Sequence, residues 1–199
     1  VYNFNREEAD LTKSLVHPYV PRFPRHVSYD LVLFGSWRRK GVYVGEKQIA
    51  SPGSYPVAGF NFAPMYNLNY KLCFGVSLDG VYDGSANVYT EDALVEYDAG
   101  SGSSRRKFLV PGIQNQLALG LSGRAEYVMP FFTIGVGLGT NVLGRGDLRG
   151  LYQVFALKIN VTRSSFLHIG YNLQDFQTPN YLMLGLGFRF NNKYPKVRH

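Results

Sequence analysis

No run of about 18 uninterrupted apolar residues occurs in this sequence, so a membrane-spanning helix is excluded, whereas spanning strands, which alternate apolar with polar, are not. One cysteine, Cys73, permits neither an internal disulfide nor a cysteine metal cluster. Histidine is sparse too. His17, His26, His168 and His199 fall in separate regions without paired spacing, and the acidic run Glu91, Asp92, Glu96, Asp98 lacks the spacing and glycine pivot of a calcium loop. No metal and no cofactor is therefore expected. Charged residues are 18% of the chain, a low share, and the net charge of +7 is scattered in twos and threes with no basic face. Nucleic acid is not an expected partner.

Aromatic side chains (14 Phe, 15 Tyr, 1 Trp) and 22 glycines are abundant, which fits neither a disordered chain nor a helical bundle. From Val27 onward, apolar residues recur at every second position, the period of a strand with one apolar face. Eight segments show it: Val27–Trp37, Val57–Tyr66, Tyr70–Tyr82, Gln114–Tyr127, Phe131–Gly139, Leu151–Val161, Phe166–Leu173 and Tyr181–Phe190. In the third, Leu72, Phe74, Val76, Leu78 and Tyr82 oppose Lys71, Cys73, Gly75, Ser77, Asp79 and Asp83. The connections alternate in length. Asn67–Asn69, Met129–Pro130 and Thr162–Ser165 are tight, while Arg38–Pro56, Asp83–Ile113, Thr140–Gly150 and Gln174–Asn180 are longer. Together these features predict an all-β, eight-stranded antiparallel up-and-down transmembrane β-barrel in the outer membrane of a Gram-negative bacterium. A soluble lipocalin-like barrel shares the strand number, but its apolar face points inward and its outer face carries charge.

An eight-stranded barrel is just wide enough for side chains to fill. The expected interior charges, Asp30, Lys71, Asp79, Arg124, Glu126, Lys158 and Arg189, include both signs and can neutralise one another. Gly135-x-Gly-x-Gly139 alternates within a strand with no helix after it, so it makes interior space and is no dinucleotide loop. Residues 1–26 form a lead segment in which Pro18, Pro21 and Pro24 enforce extended backbone without ladder hydrogen bonds. The barrel is expected over 27–190 and a polar tail over 191–199. With an even strand number both termini lie on the short-turn side, expected to be the periplasm.

His168 is the only histidine within a strand, and the only candidate general base. Its parity puts it on the inner face with Gly170 and Asn172, as a polar interior residue would be. Ser165 points to the opposite face, and Asp175 lies about seven residues, more than ~20 Å, along the strand. No Glu follows Glu126, so the last two strands offer no Ser-His-acid set.

The stretches FGSWRRKGVY at Phe34–Tyr43, VAGFNFAPMY at Val57–Tyr66, FFTIGVGLGTN at Phe131–Asn141 and LYQVFALKINVTRSSFLHIGYNLQDFQTPNYLMLGLGFRF at Leu151–Phe190 resemble the lipid A 3-O-deacylase (PagL-like) family, in its Bacteroidota branch often labelled acyloxyacyl hydrolase. The resemblance implies an eight-stranded outer-membrane barrel. It also implies, for the active enzymes, a His-x-Ser pair on the penultimate strand and a downstream Glu that hydrolyse an acyl ester of lipid A. Placed on that motif, His168 takes the His and Gly170 stands where the nucleophilic Ser belongs; slid to match Pro179-Asn180, Gly170 and Asn172 occupy the two places. Either way the oxygen nucleophile is missing. The expectation is a non-catalytic structural or accessory subunit of an outer-membrane complex, with lipid, lipopolysaccharide and other outer-membrane or periplasmic proteins as partners. The alternatives are a lipid A 3-O-deacylase or a lipopolysaccharide-binding barrel. In the binding reading Arg38, Arg39, Lys40, Arg105, Arg106, Lys107, Arg145 and Arg149 hold lipid A phosphates; otherwise they are solvated loop charge.

Overall fold

Alternating patterns of this length leave each strand one apolar face to bury, and the chain meets that demand by closing a sheet on itself. A computed structural model describes residues 22–39, 41–44, 47–50, 54–97, 104–109, 111–176 and 178–194, with the side chains of 41–50, 89–109, 147 and 178–180 outside the description. Twelve strands follow in chain order: β1 (His26–Arg38), β2 (Gly41–Val44), β3 (Lys47–Ala50), β4 (Tyr55–Asn67), β5 (Leu72–Asp83), β6 (Tyr89–Tyr97), β7 (Ser104–Leu109), β8 (Leu117–Val128), β9 (Phe132–Leu143), β10 (Leu151–Asn160), β11 (Ser165–Gln174) and β12 (Thr178–Phe190). Eight of them close a barrel in the order β1-β12-β11-β10-β9-β8-β5-β4, every neighbouring pair antiparallel.

The other four strands correct the expectation of irregular long loops. β2 and β3 form a hairpin inside the first long connection, and β6 and β7 form one inside the second. Glu91, Asp92 and Glu96, read as loop, stand on β6, and Asp98 lies outside the described residues. β9 runs to Leu143, four residues past the expected end, because Asn141 pairs with Gly120 of β8. β8 starts at Leu117 because Ile113–Asn115 turns as a 3-10 helix.

Parity assigns each residue to one side of the wall. Asp30, Val32 and Phe34 of β1 are buried inside, while Leu33 outside is 53% exposed; Val76 is 61% and Leu186 55% exposed. This continuous outward band of Leu, Val, Ile, Phe and Tyr far exceeds the patch a soluble monomer shows to water, and it is favourable only against hydrocarbon. The wall is that of a membrane-spanning β-barrel.

The two ends differ. At the short-turn end, Phe23 packs edge-on against Tyr70 and Tyr194, with ring centroids 4.8 and 5.0 Å apart. The Lys193 amide donates to His26 Nε2 at 3.1 Å, which joins the entry to β1 with the segment after β12. At the long-loop end, Asn87 donates to the carbonyls of Asn115 and Arg145, so the segments after β5, before β8 and after β9 are tied over a cluster of Ala86, Ala118 and Leu148.

Candidate functional site

Polar chemistry concentrates inside the barrel, in three ion-paired groups. Lys158 on β10 donates to Asp30 Oδ2 of β1 at 2.7 Å and to Glu126 Oε1 of β8 at 2.5 Å. Arg189 on β12, directly paired with Asp30 across the β1–β12 ladder, donates from Nε and Nη2 to both Asp30 oxygens at 2.7 Å. The Phe166 ring lies 5.0 Å from the Lys158 ammonium and 5.4 Å from the Arg189 guanidinium, so both cations also see an aromatic face. Two acids and two bases cancel within this layer.

Nearer the long-loop end, Asp79 of β5 accepts from Arg124 (2.8 Å), Asn61 (2.7 Å) and Ser77 on one oxygen, and from Ser122 and Tyr152 at 2.6 Å on the other. The room for these long side chains is made by the alternating glycines of β9. A Cβ on Gly137 would meet Arg124 Cδ at 2.7 Å, and one on Gly139 would meet the Tyr152 ring at 2.6 Å. A third pair, Arg38 with Asp83, stands at the same end at 2.7 Å. Asp83 also accepts from the amide and hydroxyl of Ser85.

Of the charges expected inside, Asp30, Asp79, Arg124, Glu126, Lys158 and Arg189 come together in the first two groups. Lys71 does not. It is exposed in the turn before β5, where Asn69 Oδ1 accepts from the Lys71 and Leu72 amides, and strand parity carries no meaning before the ladder begins at Leu72. The Arg38–Asp83 pair was missing from the sequence argument, although Asp83 shares the inner parity of Asp79.

His168 sits deep in the wall of this interior, 2% exposed, opposite Lys158 and Gly185 in its two ladders. Neither ring nitrogen has a hydrogen-bond partner. The void beside it, about 10 Å³ among Asp30, Asn61, Ser77 and Lys158, has no room for an acyl ester. At Gly170 a Cβ would meet Met183 Cε at 2.6 Å and His168 Nε2 at 2.7 Å, so a side chain there would displace the flexible end of Met183 and crowd the imidazole. Asn172 is buried on the same inner face. None of the three reaches the lipid-facing surface, and the described residues hold no cluster of three metal-ligating side chains.

The eight loop cations do not converge among the described residues. Arg38 is committed to Asp83, which removes it from a phosphate-binding set. Lys40 and the side chains of Arg105, Arg106 and Lys107 lie outside the described residues; along the β6–β7 ladder Arg105 stands opposite Glu96. Arg39, Arg145 and Arg149 are exposed, and Arg145 donates to Asn115 Oδ1 at 3.4 Å. On the outward wall, an open groove of about 480 Å³ runs between Phe60, Gly80, Tyr82, Leu119 and Leu143. At the other end of the molecule, burial and the hydrogen bond with the Cys73 thiol raise the Tyr194 phenol above its ordinary range, so it stays un-ionised.

A family model described as acyloxyacyl hydrolase, C-terminal domain, matches residues 27–192, from the second residue of β1 to just past β12. The chain belongs to the acyloxyacyl hydrolase family. The match leaves out residues 1–26 and 193–199. Among solved structures, this acyloxyacyl hydrolase family member is similar to Ail, the attachment invasion locus protein of Yersinia pestis, at 14% identity, with 84% of this chain and 100% of that chain covered and a TM-score of 0.44. Ail in complex with the heparin analogue sucrose octasulfate matches over the same shares at 13% identity and the same TM-score. A search of curated proteins returns no match.

Proposed function

We propose that this barrel is a non-catalytic member of the acyloxyacyl hydrolase family, a structural or accessory subunit of an outer-membrane complex with both termini in the periplasm. The observation that carries this reading is the position of His168 and Gly170. His168 faces a filled interior, and the residue two places on is a glycine, which carries no side-chain oxygen; His26, which the structure places as the first residue of β1, is likewise buried and lies at the short-turn end. Ester hydrolysis needs an oxygen nucleophile and its base at the ester, and an ester of a membrane lipid stays outside the wall. Mass spectrometry of lipid A from cells with and without the protein tests it. The expected outcome is the same set of acyl chains in both; loss of one chain that disappears with His168→Ala would restore the hydrolase.

A second reading, retention of lipopolysaccharide without hydrolysis, is supported by the apolar groove in the outer wall. An apolar trough in the lipid-facing wall matches an acyl chain. If the barrel works this way, Leu143→Glu, which sets a carboxylate in the groove, should lower the lipopolysaccharide retained through detergent purification about 5-fold or more. Equal retention would remove the groove from consideration.

A further inference from the structure

The short-turn end carries five exposed cations, Arg22, Arg25, Lys71, Arg163 and Lys193, and no acid among the described residues. The described acids stand inside the barrel (Asp30, Asp79, Asp83, Glu126), on β6, or in the loops of the opposite end. None of the five takes part in a described ion pair; those pairs engage Arg38, Arg124, Lys158 and Arg189. This is a one-signed surface at the place where the wall ends.

Between these cations the barrel mouth opens into a depression of about 540 Å³, walled by Lys71, Pro130, Arg163 and Tyr194 and floored by Asn160 and Arg189. Arg163 is held over it. Its Nη2 donates to the carbonyls of Tyr194 at 2.7 Å and Asn192 at 3.4 Å, leaving Nη1 and Nε without a described partner. Val128, Met129 and the two tyrosines make part of the lining apolar. A held guanidinium, an exposed ammonium and an apolar wall around one hollow fit a ligand that brings carboxylates and an apolar side chain together.

The floor decides between a lipid headgroup and a polypeptide. Asn160 and Arg189 end inward-facing registers of β10 and β12, so the hollow lies over the lumen, inside the ring of turns. A headgroup is tethered to acyl chains outside the wall and would have to fold across Phe131, which is 79% exposed at the rim. A polypeptide arrives from the aqueous side without that constraint.

We propose that the short-turn mouth docks an acidic polypeptide segment of a partner protein, its carboxylates on Lys71 and Arg163 and an apolar side chain between Pro130 and Tyr194. This rests on the accessory-subunit reading, for which it names the class of partner.

The test is fluorescence anisotropy of a labelled synthetic peptide alternating Glu with Leu, titrated with the full chain in zwitterionic detergent. Binding should weaken as salt rises and fall about 10-fold or more in the double variant Lys71→Glu, Arg163→Glu. Heat-modifiable gel migration shows that this variant still folds. Arg39→Glu with Arg149→Glu, at the opposite end, should bind like the parent. Equal loss in both double variants, or no binding at all, overturns the site. Displacement of the peptide by phosphatidylglycerol micelles but not by zwitterionic lipid makes the ligand a headgroup and overturns it as well. So does binding that appears only after deletion of residues 1–21, because the occupant is then the chain's own Glu7, Glu8 and Asp10. An absent peptide complex beside unchanged lipid A sinks this site alone, whereas lipid A hydrolysis sinks the accessory reading.

Discussion

Lys158 touches two carboxylates from two other strands, and its removal leaves Asp30 with Arg189 and Glu126 with only a guanidinium 3.8 Å away. Breaking a buried ion pair from one side typically costs about 3–5 kcal/mol, because the stranded charge has no water to turn to. Lys158→Ala should therefore lower the urea midpoint of the folded barrel by an amount in that range. Lys71→Ala, at an exposed turn, should stay within about 0.5 kcal/mol of the parent. Equal effects at the two positions would mean that the interior group is hydrated. The same bookkeeping explains why the interior tolerates eight charges: each of the three groups sums to zero, and each carboxylate of Asp30 and Asp79 accepts from at least two donors.

At the level of elements, the barrel strands and the loop hairpins obey different rules. β1 and β4 pair along their whole lengths from His26↔Asn67 to Arg38↔Tyr55, and the wall then continues without them. β2 and β3 pair with each other in a separate two-stranded sheet and add nothing to the closed ladder. Deleting residues 41–50 and rejoining the chain through a short turn should leave a folded, heat-modifiable barrel, measured by gel migration with and without boiling. A deletion that abolishes the shift would show that the hairpin nucleates the β1–β4 pair. β9 is different again. Its glycines at 135, 137 and 139 make space for Glu126, Arg124 and Tyr152, so its sparse inner face and the crowded inner face of β8 are one packing unit.

For the whole molecule, the decisive quantity is the polarity of the outer wall. A band of half-exposed Leu, Val, Ile and Phe around the circumference is stable only in hydrocarbon, and among the described residues side chains and ion pairs fill the interior. The protein should fractionate with the outer membrane and stay there through high-salt and alkaline washes. Recovery in a soluble fraction without detergent would contradict the outward apolar wall.

The two-residue period in segments such as Leu72–Tyr82 was enough to determine eight wall strands, their antiparallel order and the inner parity of Asp79, Arg124, Lys158 and His168, because in a closed up-and-down sheet parity alone separates inside from outside. Three things needed the tertiary structure. Lys71 has the right parity and the wrong place, since a ladder's end is set by the Asn69 turn and by the partner strand. Arg38 looked like loop charge until barrel closure set it on Asp83, 45 residues away in the chain. The short-turn mouth, where three turns and the tail meet, is a product of closure that no one segment encodes. Local pattern fixes which face a side chain takes, whereas the partner it meets across the lumen is set by strand register around the whole ring.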